Sequence, residues 1–399
     1  MTKGKLWCSE MKTFQDSLTG VSITQLTDYL AHSFHLYFTN NGWYDNESKL
    51  LFGSERNNSP NLYSMNLDNG EMTQLTDYKR EHHPNIQGTY INPCKQEAYL
   101  IVDQSIRAIN LETFEENVIF RQPQGFTFSN ISCTADGKFL CFGLTEDLSK
   151  TINSNLSGGY IGFEEMQAAK PLCKIYLLTL NTGEVTVIHE EKCWIGHVNA
   201  SPTKPNIITY CHEGPWEIVD HRIWVLDIVS GESWKIAECG NQKYAGHEYW
   251  YGDGVRIGFH GFTESLNRKD GKFIGSVNYD NTKLEMFDFP YQNMHIHSKN
   301  DQFIVGDGNQ SIAYHGEYYH DSLFLWKKNR GVLEGPRLLC KHRASFHIQQ
   351  IHVHPCIRPD QKKILFTSDQ SGYGNLYIVD IPDFETLPKM KDGKITKNK

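Results

Sequence analysis

One strand–turn–strand pattern returns along this chain, and few folds accommodate it. Residues 61–68 alternate as a half-buried strand does, Asn69-Gly70 reverses the chain, and residues 71–76 lead back. Related strands stand at 106–110, 174–178, 222–227, 273–277, 323–326 and 375–380. Seven units at spacings of roughly 40 to 70 residues have the period of propeller blades and not that of solenoid coils.

The two ends of the chain point the same way. After Asp380 no stretch copies residues 70–77, only a Lys-rich tail (383–399), yet Gly20 to Asp28 repeats it closely. The expectation is one all-β domain over 1–399, a seven-bladed β-propeller. In it an N-terminal strand near 20–28 completes the last blade, 343–382, and so removes open sheet edges. An eight-bladed ring and a long sandwich are the alternatives. Helical periodicity is nearly absent. Residues 167–170 are a candidate for part of a short helix, at the end of an insertion at 151–169 that carries Ser157-Gly158-Gly159 and enlarges the third blade. Such an insertion is a surface loop by default, or a lid if it overhangs a channel mouth.

Composition bounds the function. With 39% hydrophobic and 22% charged residues the chain can bury a large core. No apolar run approaches the roughly 20 residues of a membrane span. A net charge of −8 argues against nucleic acid or an anionic membrane as the main partner. Met1 to Glu10 contain no apolar core of a signal peptide, and the 10 cysteines show no CxxC pair. Reduced thiols in a cytoplasmic protein are therefore expected.

Of the 18 histidines, ten gather where blades begin. They are His32 and His35, His82 and His83, His197, His247, His295 and His297, and His352 and His354; the third blade, starting near Phe126, lacks one. First strands line the channel of a propeller, so these groups are expected around one mouth. The densest stretch is Gln349 to Pro355, read as an extended segment with both imidazoles on one face and a carboxamide behind them. Imidazoles with an amide oxygen suit a first-row divalent ion such as Mn, Fe, Ni or Zn. His189, His212 and His342 read as structural or surface groups, and His260 and His315 receive no role. Asp253 and Asp307, each in a Gly-Asp-Gly turn, are turn residues or orient ring groups. No HExxH or GxSxG motif is present.

Several of these stretches together resemble the oligogalacturonate lyase family of metal-dependent pectin-degrading propellers. They are Gly246-His247-Glu248-Tyr249-Trp250, His295 to Ser298 leading to Val305-Gly306-Asp307-Gly308, and Gln349 to Pro355 followed by Lys363 to Asp369. The resemblance runs through nearly the whole chain; Tyr249 stands where the family commonly has Phe. It implies β-elimination on short oligogalacturonates, with His247 as the base at C5 and Arg222 on the substrate carboxylate. It also implies a divalent ion, Mn2+ foremost, held by His295, Gln349, His352 and His354. The family's spacing favours His295 over His297 and Gln349 over Gln350. Two other readings compete: a non-catalytic binding propeller of the assembly-factor type, and a metal-dependent propeller lactonase, whose carboxylate-rich calcium site this sequence does not supply.

Overall fold

Each of the seven recurring strands is the third strand of its own antiparallel sheet, and the fold class is all-β, a seven-bladed β-propeller. The computed structural model describes residues 2–155, 160–238, 243–263, 272–289, 293–308, 321–391 and 394–396. His315 and Ser157-Gly158-Gly159 lie outside the described residues. The chain divides into two compact units, Met1–His82 with Tyr291–Lys399, and His83–Pro290. The first unit carries three of the sheets and the second carries four.

After three of these third strands the turn is built locally. Asn66 Oδ1 accepts the backbone N–H of Asp68 at 2.9 Å, Asn110 Oδ1 that of Glu112 at 2.8 Å, and Asp227 Oδ1 that of Val229 at 2.8 Å. These Asx turns explain why the repeat ends in Asn or Asp. Gly70, at φ +77°, must be glycine twice over: a Cβ there would lie 2.1 Å from Ser9 Oγ.

The N-terminal copy of the repeat does what its sequence promised. Ser22–Gln25 pairs with Asn375–Asp380, with Ile23 opposite Val379, as the fourth strand of the last blade. The shared residues make matching bonds. Thr76 Oγ1 donates to Asn61 Oδ1 at 2.8 Å, and Thr27 Oγ1 donates to Asn375 Oδ1 at 2.8 Å. Gln74 Nε2 and Gln25 Nε2 each donate to the carbonyl of the Thr two residues on, both at 2.8 Å. Val21 and Ile23 then join Phe366, Tyr377 and Val379 in one buried cluster. Each such apolar side chain contributes about 1.5–3 kcal/mol to holding the strand in place.

One expectation needs correction. The tail is not only a Lys-rich extension: Lys389–Lys391 pairs with Val332–Lys341, and Lys394–Thr396 pairs with it in turn. The outer edge of that sheet offers unpaired backbone groups, and Arg337 ties the approach by donating to the Leu387 carbonyl at 2.9 Å. The short helix that residues 167–170 were expected to belong to is Phe163–Ala169, with Lys170 as its C-cap. Its Met166 is buried, which anchors it to the fold.

Candidate active site

The two Gly-His pairs of the sequence occupy the same local structure. His197 lies in the first strand of the fourth blade, Ile195–Ala200, and His247 in that of the fifth, Lys243–Trp250. Each strand shifts register just after the glycine, between Gly196 and Asn199 and between Gly246 and Tyr249. In both bulges the histidine takes φ +50°, a left-handed conformation that costs an ordinary residue about 1–2 kcal/mol. Strain of this kind re-aims a side chain out of strand alternation. The glycines matter for close approach. A Cβ on Gly246 would lie 2.6 Å from Trp216 Cζ2 and 2.9 Å from Arg222 Nε, and one on Gly196 2.7 Å from Glu213 Cγ.

Around His247 the second unit gathers a compact polar set. His247 Nδ1 lies 2.8 Å from His260 Nε2, and the Trp216 ring stands edge-on to both imidazoles. Arg222 is buried, with its guanidinium carbon 5.7 Å above Trp216 and Nη2 donating to Glu213 Oε1 at 3.0 Å. Its Nε is buried without a hydrogen-bond partner among the described residues. Burial opposes the charge on Arg222 most strongly, but Glu213, Cys211 and Glu248 together outweigh it and hold the guanidinium above its ordinary value. Glu213 feels the converse. Burial pushes its carboxyl up, yet Arg222 and His197 bring it down to about 2.

His197 bridges two carboxylates, with Nδ1 3.1 Å from Glu248 Oε1 and Nε2 3.4 Å from Glu213 Oε1. Burial lowers its pKa most, but Glu248 and Glu213 together more than compensate, so the net shift is upward. His197, Cys211 and Glu213 also have the proximity of metal ligands. Arg222 already occupies Glu213 Oε1, however, and a cation placed there would face a fixed guanidinium. The set is an ion-pair network that braces Arg222.

The other sequence-predicted residues converge in the first unit. Ring nitrogens of His295, His352 and His354 lie within 4.8 Å of one another, and all three residues are buried. Gln349 Nε2 lies 3.2 Å from His354 Nε2, and a half-turn of that carboxamide exchanges Nε2 for Oε1. Asp307 fixes His295 through Nδ1 at 2.7 Å, which leaves Nε2 as the nitrogen that could bind a metal. His342, expected to be structural, is buried and braces that aspartate, its Nε2 2.8 Å from the Asp307 carbonyl oxygen. Burial, and then the neighbouring His295, lower the His352 pKa to about 4, so the ring is neutral at pH 7. Its Nδ1 is buried without a hydrogen-bond partner among the described residues. Three imidazole lone pairs, an amide oxygen and an orphaned buried nitrogen fit a divalent first-row ion.

The convergence does not arise as the sequence suggested. Gln349–Ile351 is a 3₁₀ turn, and His354 has φ +43°, so a turn and not strand alternation brings the two imidazoles together. His297, the competitor of His295, lies in Ile296–His297 and accepts the Ile357 backbone N–H at Nδ1, 3.0 Å away. Other blade-start histidines also serve the backbone. His32 Nδ1 accepts from Gly374 at 2.9 Å, His82 Nδ1 from Lys79 at 3.2 Å, and His35 Nδ1 lies 2.6 Å from the Leu36 carbonyl. Asp253 caps its own turn through Val255 and Arg256. Glu213, Trp216 and His260 carried no signal, because their roles depend on partners in other strands.

The family model described as oligogalacturonate lyase matches residues 1–385. An oligogalacturonate lyase of Dickeya dadantii is 28% identical over 404 residues, covering 96% of this chain and 99% of that protein. A solved oligogalacturonate lyase in complex with manganese superposes with a TM-score of 0.85 at 27% identity, covering 96% of this chain and 99% of the other. One from Vibrio parahaemolyticus gives 0.85 at 26% identity with the same coverage. Matched over nearly its whole length, this chain belongs to the oligogalacturonate lyase family.

Proposed function

We propose that this chain, a polysaccharide lyase by its family, cleaves short oligogalacturonates by metal-dependent β-elimination, digalacturonate and its unsaturated form among them. The product is the unsaturated monouronate, which rearranges to the 5-keto-4-deoxyuronate. The observation that carries the reading is the convergence of His295, His352 and His354 within 4.8 Å, with Gln349 beside them. These four residues would hold the ion. Imidazole-rich coordination favours a first-row metal over calcium. The similar structure solved with manganese makes Mn2+ the ion proposed.

The chemistry asks for a base at C5 and positive charge on the adjacent carboxylate, because that proton is too weakly acidic otherwise. A bound ion would supply Lewis-acid neutralisation of the carboxylate. His247 takes the C5 proton. An ordinary imidazole, with a pKa near about 6.5, is mostly neutral at pH 7. Arg222 adds a planar donor fork for carboxylate, held in place by Glu213 and Trp216. We place the reaction in the cytoplasm, where the nine described cysteines, all free thiols, would stay reduced.

The test is ultraviolet absorbance of the conjugated product from digalacturonate, with metal analysis of the purified protein. Activity that disappears on chelation and returns with Mn2+ is the expected result. Calcium as the sole metal, or undiminished turnover after chelation, contradicts the proposal.

A further inference from the structure

His260 stands opposite Gly246 in the pairing of Arg256–Thr263 with Lys243–Trp250. The bulge leaves His247 and Glu248 out of that register, and this carries the His247 ring over to His260. The two nitrogens are 2.8 Å apart, and the ring planes are inclined by 33°. Trp216 closes the pair from the side. Its own face stacks on Phe262, with planes 8° apart, in the strand that carries His260. The pair is thus held by a bulge, a cross-strand register and an aromatic wall.

Nitrogens at this distance share one proton, so one ring donates and the other accepts. The choice follows from the task of His247. To take a proton from carbon at Nε2 it must hold a lone pair there, which puts its hydrogen on Nδ1. We propose that His260 is the positioning residue of the base: its Nε2 accepts from His247 Nδ1–H, which selects the reactive tautomer and steadies the imidazolium formed in the reaction. The inference rests on His247 being the base, as proposed above.

The step balances without a further reactant. The C5–H bond breaks and its proton joins His247 Nε2. The freed electron pair becomes the C4=C5 double bond, and the C4–O pair departs on the glycosidic oxygen. That oxygen takes up one proton, so the enzyme returns the one it gained. Charged and titratable groups gathered by the same strands and loop are Arg222, Glu213, Glu248 and His197. Arg222 opposes a second positive charge nearby, and an acceptor on Nδ1 counters that opposition.

The experiment uses the full metal-loaded chain with digalacturonate, comparing His260→Phe and His260→Gln. In His260→Phe, kcat falls on the order of 100-fold, KM stays within about threefold, and the acid limb of kcat/KM moves to lower pH. His260→Gln keeps an acceptor oxygen and recovers to within about tenfold of the parent. Equal losses in both variants with an unmoved acid limb overturn the proposal, as does full activity in His260→Phe. Nitrogen-15 histidine spectra of the parent enzyme give a reading independent of turnover and of variant folding. His247 protonated at Nδ1 agrees with the proposal, and protonation at Nε2 overturns it. A His247→Ala variant measured alongside separates the two ideas. Its full activity would remove the base assignment, while the spectra still judge the His247–His260 bond.

Discussion

Asp307 holds His295 by ring and backbone together: its Oδ2 lies 2.7 Å from the ring Nδ1, and its Oδ1 accepts the backbone N–H of the same residue at 2.9 Å. A carboxylate in this position fixes the tautomer of a metal-binding histidine and raises its basicity. Asp307→Ala is expected to weaken Mn2+ binding by about 10- to 100-fold. Titration calorimetry on metal-free protein measures it. An unchanged affinity would remove Asp307 from the metal centre.

Arg222 is predicted to be irreplaceable by lysine. Its guanidinium donates to Glu213 and lies over Trp216, and an ammonium reproduces neither the planar fork nor the stacking. Arg222→Lys should lose on the order of 100-fold in kcat/KM with the fold intact by circular dichroism. Arg222→Ala also takes from the largely buried Glu213 carboxylate its guanidinium partner, leaving His197 beside it, at a stability cost of about 3–5 kcal/mol read from urea unfolding.

The same pair sets an acid dependence of stability. Glu213, held at about 2 in the folded protein, titrates in the unfolded chain near the ordinary glutamate value of about 4.3. The unfolded state therefore binds this proton first as pH falls. The contribution is full above the unfolded value and drains as pH drops towards the folded one. The stability difference between the parent and Glu213→Gln should shrink as pH falls from about 5 to about 2. A difference that stays constant over that range contradicts the pairing.

Gly246 offers a test of packing. A Cβ there would press on Trp216 Cζ2 at 2.6 Å and on Arg222 Nε at 2.9 Å. Gly246→Ala should cost about 1–3 kcal/mol and lower kcat, since Trp216 and Arg222 must both shift. Thermal unfolding and initial rates check it, and a variant indistinguishable in both would show that the strand relaxes freely.

What the sequence made legible was whatever depends on neighbours along the chain. Thr27 and Gln25 repeat Thr76 and Gln74 because each pair makes the same short-range bonds, so the closing strand could be read directly. The candidate ligands were legible as residue types at a family spacing. The route by which they meet was not. Strand alternation was assumed for 349–355, where a 3₁₀ turn and a left-handed His354 do the work. The bulges at His197 and His247 depend on the register of a partner strand, and so do Glu213 behind Arg222 and His260 behind His247. Such cross-strand relations leave no trace in a local pattern.

The central claim is that an imidazole on the bulge after Gly246 performs the elimination, and replacing it is the most direct test. Metal-loaded His247→Ala, with its Mn2+ content and thermal unfolding matched to the parent, should form the conjugated uronate from digalacturonate at least about 100-fold more slowly, with KM little changed. Turnover at the parent rate in that variant would contradict the account.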